Sequence, residues 1–162
     1  MDIKDFLQPA HVVLDLRVSD KTRLLQELAR QAGSALNLPA DRIASELSKR
    51  ETLGSTGTGG GIAIPHARLE EVSKPFGILA RLHRPIGFDA IDDEPVDLVF
   101  LLLLPARREG EQLNALACVA RRLRNPEAVS QLRQATTAAE LYRTFVQQSE
   151  GNIEGNRPET AG

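Results

Sequence analysis

One cysteine, Cys118, in a chain of 162 residues leaves nothing with which to form an internal disulfide. A basic excess is also missing: 20 Lys and Arg against 22 Asp and Glu give a formal charge of -2, without the electrostatic footprint of nonspecific binding to nucleic acid or an anionic membrane. No apolar run is long. The longest, Leu98 to Leu104, is far short of the roughly 20 residues a membrane-spanning helix requires. The first residues, MDIKDFLQPA, lack the basic, apolar, small-residue order of a secretory signal, so the cytoplasm is the expected compartment. His, Cys and carboxylate ligands do not cluster with metal-site spacing, and no metal or cofactor is expected. Two nucleotide signatures fail on single residues. A Walker A loop needs Lys where Gly60 stands, and a dinucleotide fingerprint starting at Gly57 needs Gly where Ile62 stands.

What is present suits one domain. The 41% hydrophobic content is enough for a single packed core at this length. Between Asp20 and Asn37, residues Leu24, Leu25, Leu28, Ala29, Ala32 and Leu36 recur at helical spacing. A second helix is predicted to start with Pro39 in its first turn, carry Ile43, Ala44 and Leu47, and end near Lys49 or Arg50. Leu113, Leu116, Ala117, Ala120 and Leu123 mark a third, which Asn125 and Pro126 break, and two short helical stretches follow to about Gln148. Strands are predicted at Val12 to Arg17, at Ile62 to Ile64 before Pro65, at Gly77 to Leu82 and at Val96 to Leu104. The last is almost continuously apolar, as a central strand covered on both faces would be. No internal repeat is evident. The polar, glycine-rich residues 150–162 carry too little apolar surface to offset ordering entropy and are expected to form a disordered tail after a domain at 1–149.

Chemistry concentrates in the stretch from Gly54 to Arg68. Its first eight residues hold five glycines, and it ends in Ile64-Pro65-His66-Ala67-Arg68. Proline fixes its own backbone torsion and keeps Ile64 extended, so the imidazole of His66 is placed by stiff backbone after a buried strand. Near neutrality an imidazole is a nucleophile, and its phosphorylated form passes the group onward; proton transfer, or a hydrogen-bonded loop histidine, are the other readings. The glycines allow backbone N–H groups to converge on anionic oxygens, with the hydroxyls of Ser55, Thr56 and Thr58 as further donors; a flexible turn is the alternative. His83, out of phase with Ile78, Ala80 and Leu82, is expected on the surface, and His11 in a loop. Asp89, Asp92, Asp93, Glu94 and Asp97 form an acidic cluster, expected to be solvated and available to influence docking.

Three stretches in order carry a resemblance over roughly residues 3 to 148. They are Arg50-Glu-Thr-Leu-Gly-Ser-Thr-Gly, Gly61-Ile-Ala-Ile-Pro-His66, and Phe88-Asp-Ala-Ile-Asp-Asp-Glu-Pro-Val-Asp-Leu-Val-Phe-Leu-Leu. Together they resemble phosphotransferase-system enzyme IIA of the fructose/mannitol type, most closely its nitrogen-regulatory branch. That resemblance implies a single α/β domain with a mixed β-sheet flanked by helices. It also implies a stoichiometric carrier rather than a free-standing enzyme, phosphorylated at the tele nitrogen of His66 by an HPr-like phosphocarrier of the NPr kind, with phosphoenolpyruvate as ultimate donor. Arg50 would hold phosphoryl oxygens, with Ser55, Thr56 and Gly57 as phosphate-binding residues. The implied targets are regulatory proteins, potassium transport or sensor kinases among them, and neither nucleic acid nor membrane. A sugar-specific enzyme IIA that passes phosphate to a IIB component, and a phosphorylation-independent binding module, are the alternatives.

The sequence departs from the family pattern at Gln112. Family members commonly place a second histidine there, in a His-Leu pair opening the helix after the long central strand. A glutamine amide donates a hydrogen bond but neither carries positive charge nor shuttles a proton.

Overall fold

The computed structural model describes residues 1–107 and 109–155. Two 3-10 turns, Ile3–Asp5 and Pro9–His11, lead into β1 (Val12–Leu16). Then come α1 (Lys21–Leu36), α2 (Ala40–Thr52), β2 (Gly57–Gly59), β3 (Ile62–Ala63), β4 (His66–Leu69), β5 (Phe76–Ile86) and β6 (Val96–Pro105). Helices α3 (Glu109–Arg124), α4 (Pro126–Gln134) and α5 (Ala138–Gly155) complete the described chain. Thus α5 crosses the boundary drawn at 149/150, and the rest of the segment expected to be disordered, 156–162, lies outside the described residues.

Pro39 stands at the N-cap of α2 rather than inside its first turn. Its extended conformation, φ -61° and ψ 127°, turns the chain between α1 and α2. Asp20 caps α1 through the Arg23 N–H, and Asn37 closes it in the left-handed conformation at φ 57°. At the other helix break, Asn125 accepts the N–H groups of Glu127 and Ala128, and Pro126 fills the first turn of α4.

The six strands form one mixed sheet in the order β1-β5-β6-β3-β2, with β4 pairing β6 beyond β3. β5 runs antiparallel to β6, whereas β1 is parallel to β5, and β3 and β4 are parallel to β6. The apolar run of β6 divides between two cores by strand alternation. Leu98, Phe100, Leu102 and Leu104 face α3, α4 and α5, where Phe100 stacks on Phe145 at 5.5 Å. Val99, Leu101 and Leu103 face the apolar stripes of α1 and α2, among them Leu24, Leu28, Ile43 and Leu47. Each fully buried leucine contributes roughly 1.5–3 kcal/mol relative to exposure, so Leu102→Ala in mid-sheet would remove a large share of the domain's stability.

β3 and β4 occupy successive stretches of a single lane beside β6. Ile62 and Ala63 pair with Leu98 and Val99, and His66 to Leu69 pair with Leu102 to Pro105. Pro65 interrupts the lane. It has no N–H to give, but its carbonyl accepts the Leu102 N–H at 2.9 Å, so the register carries straight through to His66.

Candidate functional site

The glycine-rich stretch is more ordered than a flexible turn. Gly57–Gly59 forms strand β2, antiparallel to β3, and Gly59 pairs with Ile62. The two residues between, Gly60 and Gly61, have φ of +66° and +80°, the left-handed pair that a two-residue hairpin turn uses. The acidic cluster contributes to holding this hairpin. Asp92 accepts the Gly60 N–H at 2.9 Å, while Asp97 binds Arg133 at 2.8 Å as Arg133 donates to the Gly60 carbonyl at 2.7 Å. Asp92 is exposed, as expected, and Asp97 is half-buried; both also hold the hairpin through these bonds.

His66 opens β4 half-buried. Its Nδ1 lies 2.8 Å from the Ile64 carbonyl, which can only accept, so Nδ1 carries the proton. The lone pair is then on Nε2. There the Arg50 Nε–H donates at 3.3 Å, and the same guanidinium donates from Nη1 to the Gly54 carbonyl at 2.8 Å. Burial pushes the pKa of His66 below its ordinary value. The Ile64 hydrogen bond opposes that shift, Arg50 reinforces it, Glu51 opposes it and Arg68 adds to it. The result is a neutral imidazole with one fixed tautomer and a nucleophilic nitrogen beside a cation.

Behind Arg50 stands a group that sequence reading passed over. Glu51 accepts the Thr56 N–H at 3.1 Å and the Thr56 hydroxyl, and it pairs with Lys21 at 2.9 Å, its own side chain only 6% exposed. Lys21 donates to the Phe88 carbonyl at 3.3 Å and lies 4.4 Å from the Phe88 ring centre. The Ser55 hydroxyl donates to that same carbonyl at 2.7 Å and accepts the Gly57 N–H at 3.1 Å. The Ser55 hydroxyl, the Thr56 N–H and hydroxyl and the Gly57 N–H are thus engaged within the protein, and the loop they form is tied to the ends of α1 and α2. A carboxylate next to the candidate arginine in the Arg50-to-Gly57 stretch was the available signal for Glu51.

Gln112 is buried near the start of α3, and its amide donates to the Pro105 carbonyl at the end of β6. The hydrogen bonds of His66 go to Ile64 and Arg50, so the two side chains are not directly joined. His83 is exposed on β5, and His11 packs against Phe76 at 4.9 Å. Among the described residues no group of three His, Cys, Asp or Glu side chains could hold a metal ion, and no helix is long and apolar enough to cross a membrane.

The model of the phosphoenolpyruvate-dependent sugar phosphotransferase system EIIA 2 family matches residues 5–148. The chain belongs to that family. Within this EIIA 2 family it is similar to proteins named for nitrogen regulation. A nitrogen regulatory protein of Bradyrhizobium diazoefficiens is 42% identical over 142 residues, 88% of this chain and 93% of the relative. That of Escherichia coli is 43% identical over 123 residues, 75% of this chain and 76% of the relative. The solved nitrogen regulatory protein IIA-Ntr of Neisseria meningitidis matches with a TM-score of 0.84 at 36% identity, covering 88% of this chain and 98% of that one. The mannitol IIA of Escherichia coli, at 17% identity and a TM-score of 0.72, shares the EIIA fold. The α/β domain with a mixed sheet flanked by helices, expected from the resemblance, is the fold found. Membership in the EIIA family implies a phosphocarrier protein as partner.

Proposed function

We propose that this chain is a phosphohistidine carrier and regulatory protein of a nitrogen-related phosphotransferase system, with Nε2 of His66 as acceptor and an HPr-like phosphocarrier of the NPr kind as donor. One observation carries the reading: Nδ1 is held as a donor by the Ile64 carbonyl, which leaves the Nε2 lone pair facing Arg50. Nε2 attacks the phosphorus of the donor's phosphohistidine in line. A new P–N bond forms as the old one breaks, and the departing imidazole keeps the electron pair. The proton on Nδ1 stays against Ile64 throughout. Arg50, released from Nε2, turns its guanidinium to the phosphoryl oxygens.

The side chains of Glu51, Lys21, Ser55 and Thr56 and the N–H groups of Thr56 and Gly57 serve by fixing the loop, since each already has a protein partner. Phosphorylation adds about two negative charges at one surface point, enough to repel or recruit a regulatory target without refolding the domain. Potassium transport proteins and sensor kinases are the target classes that the family resemblance suggests.

Purified protein incubated with phosphoenolpyruvate, enzyme I and the HPr-like carrier is expected to acquire acid-labile phosphate that His66→Ala does not. Unlabelled wild type with a demonstrably competent donor would replace this reading with the phosphorylation-independent binding module. Rapid passage of the label to a IIB cysteine would replace it with the sugar-specific one.

A further inference from the structure

Where β1 passes into α1, the surface carries more cations than anions. Arg17, Val18, Ser19, His83 and Arg84 line a hollow of about 340 Å³. Arg17, Val18 and Ser19 also line an adjoining hollow of about 620 Å³, to which Arg23 and Arg30 contribute. The sheet register brings them together: Leu16 on β1 pairs with Leu82 on β5, so Arg17 and His83 follow side by side. Arg17, Arg23, His83 and Arg84 are all exposed.

The neighbouring carboxylates have partners of their own, Glu27 within the second hollow itself. Glu27 binds Arg30 at 2.6 Å, and Asp20 accepts the Arg23 N–H and the Ser19 hydroxyl. Asp15 lies 3.8 Å from Arg81, and Glu51 is bound to Lys21. Among the described residues the side chains of Arg17, Arg23, His83 and Arg84 have no hydrogen bond or ion pair. In a chain of net charge -2, three unmatched guanidinium groups around two joined hollows make a local field of the opposite sign.

We infer that this double hollow binds a small phosphoanion bearing at least two phosphoryl groups, with Arg17 between the hollows, Arg84 and His83 on one side and Arg23 on the other. Guanidinium forks match phosphoryl oxygens in a bidentate way, and the concave shape suits a compact ligand better than an extended surface. The site stands apart from His66. Across the sheet His66 aligns with Leu102 and Leu102 with Gly77, and His83 lies six residues farther along β5, a separation of about 20 Å. Occupation therefore leaves the phosphoacceptor open.

The test is calorimetric titration of the full chain with tripolyphosphate at fixed ionic strength, beside the double variant Arg17→Ala/Arg84→Ala and His66→Ala. Saturable one-to-one binding is expected, weakened about tenfold or more in the double variant and unchanged in His66→Ala. Should the double variant not fold, the exposed Arg84→Glu alone is expected to weaken binding in the same direction. Equal affinity in the arginine variants, or uptake that never saturates, overturns the site. Retention on phosphatidylglycerol vesicles through these arginines, without tripolyphosphate binding, overturns the small-ligand assignment in favour of a lipid headgroup.

Discussion

The Nε–H of Arg50 meets the Nε2 of His66 at 3.3 Å, while Nη1 of the same guanidinium is held by the Gly54 carbonyl at 2.8 Å. One cation is thus anchored at one nitrogen and presented to the proposed nucleophile at another. Arg50→Ala is expected to slow phosphoryl transfer to His66 about 100-fold, the effect of losing one preorganised donor to developing charge. Arg50→Lys should recover only part, because an ammonium cannot occupy both positions. Single-turnover labelling from the phosphorylated carrier measures both.

Acid should weaken the fold through buried imidazoles. The pKa of His66 is lowered chiefly by burial, and that of His11 likewise. Between those depressed values and about 6.5, the unfolded chain binds protons that the folded chain does not, so stability rises with pH across that window and levels off above it. Urea midpoints measured on both sides of the window should show this slope, and His66→Gln together with His11→Gln should flatten it. A midpoint that rises on acidification would contradict the burial argument.

Removing the Glu51 carboxylate takes from Lys21 its nearest counter-charge and leaves the Thr56 N–H without its acceptor. Glu51→Ala is expected to cost about 3 kcal/mol in chemical denaturation. It should also speed amide exchange at Thr56 and Gly57 more than within β6, since the loop loses its tie while the central strand keeps both cores.

Gln112→Ala leaves the Pro105 carbonyl buried without its donor and should cost about 1–3 kcal/mol. Gln112→His keeps a ring N–H that can serve the same carbonyl, so most of that stability should return. First-turnover labelling of His66 should survive both, because no hydrogen bond joins the two side chains. A loss of labelling in folded Gln112→Ala would show that the glutamine acts on the acceptor after all.

Local patterns exposed some of this in the sequence and not the rest. The stripes of α1 and α2 and the apolar run of β6 were legible because burial on one face, or on two, writes a period into the residues. Pro65 marked His66 as stiffly held. Strand β4 was not legible: His66-Ala67-Arg68-Leu69 is too short to show alternation, and it is a strand because Leu102 to Pro105 lie alongside. The same holds for β2, whose glycines read as a turn until pairing with β3, Asp92 and Arg133 fixes them. The anchoring of Arg50 by Gly54, and of Thr56 by Glu51, depends on how the end of α2 meets the loop, which no periodicity encodes.

The lane that β3 and β4 share against β6 sets an order of events during synthesis. His66 leaves the ribosome well before Leu102, and until Leu102 arrives Pro65 has no strand to dock on. The β5 and β6 segments can meet as neighbours in sequence, but the parallel pairing that seats the imidazole waits for the far end of β6. A nascent chain halted before Val96 would carry Arg50, Gly54, Ile64 and His66 while lacking β6, the strand that aligns them. The geometry of the proposed acceptor therefore arrives late, with the completion of the sheet.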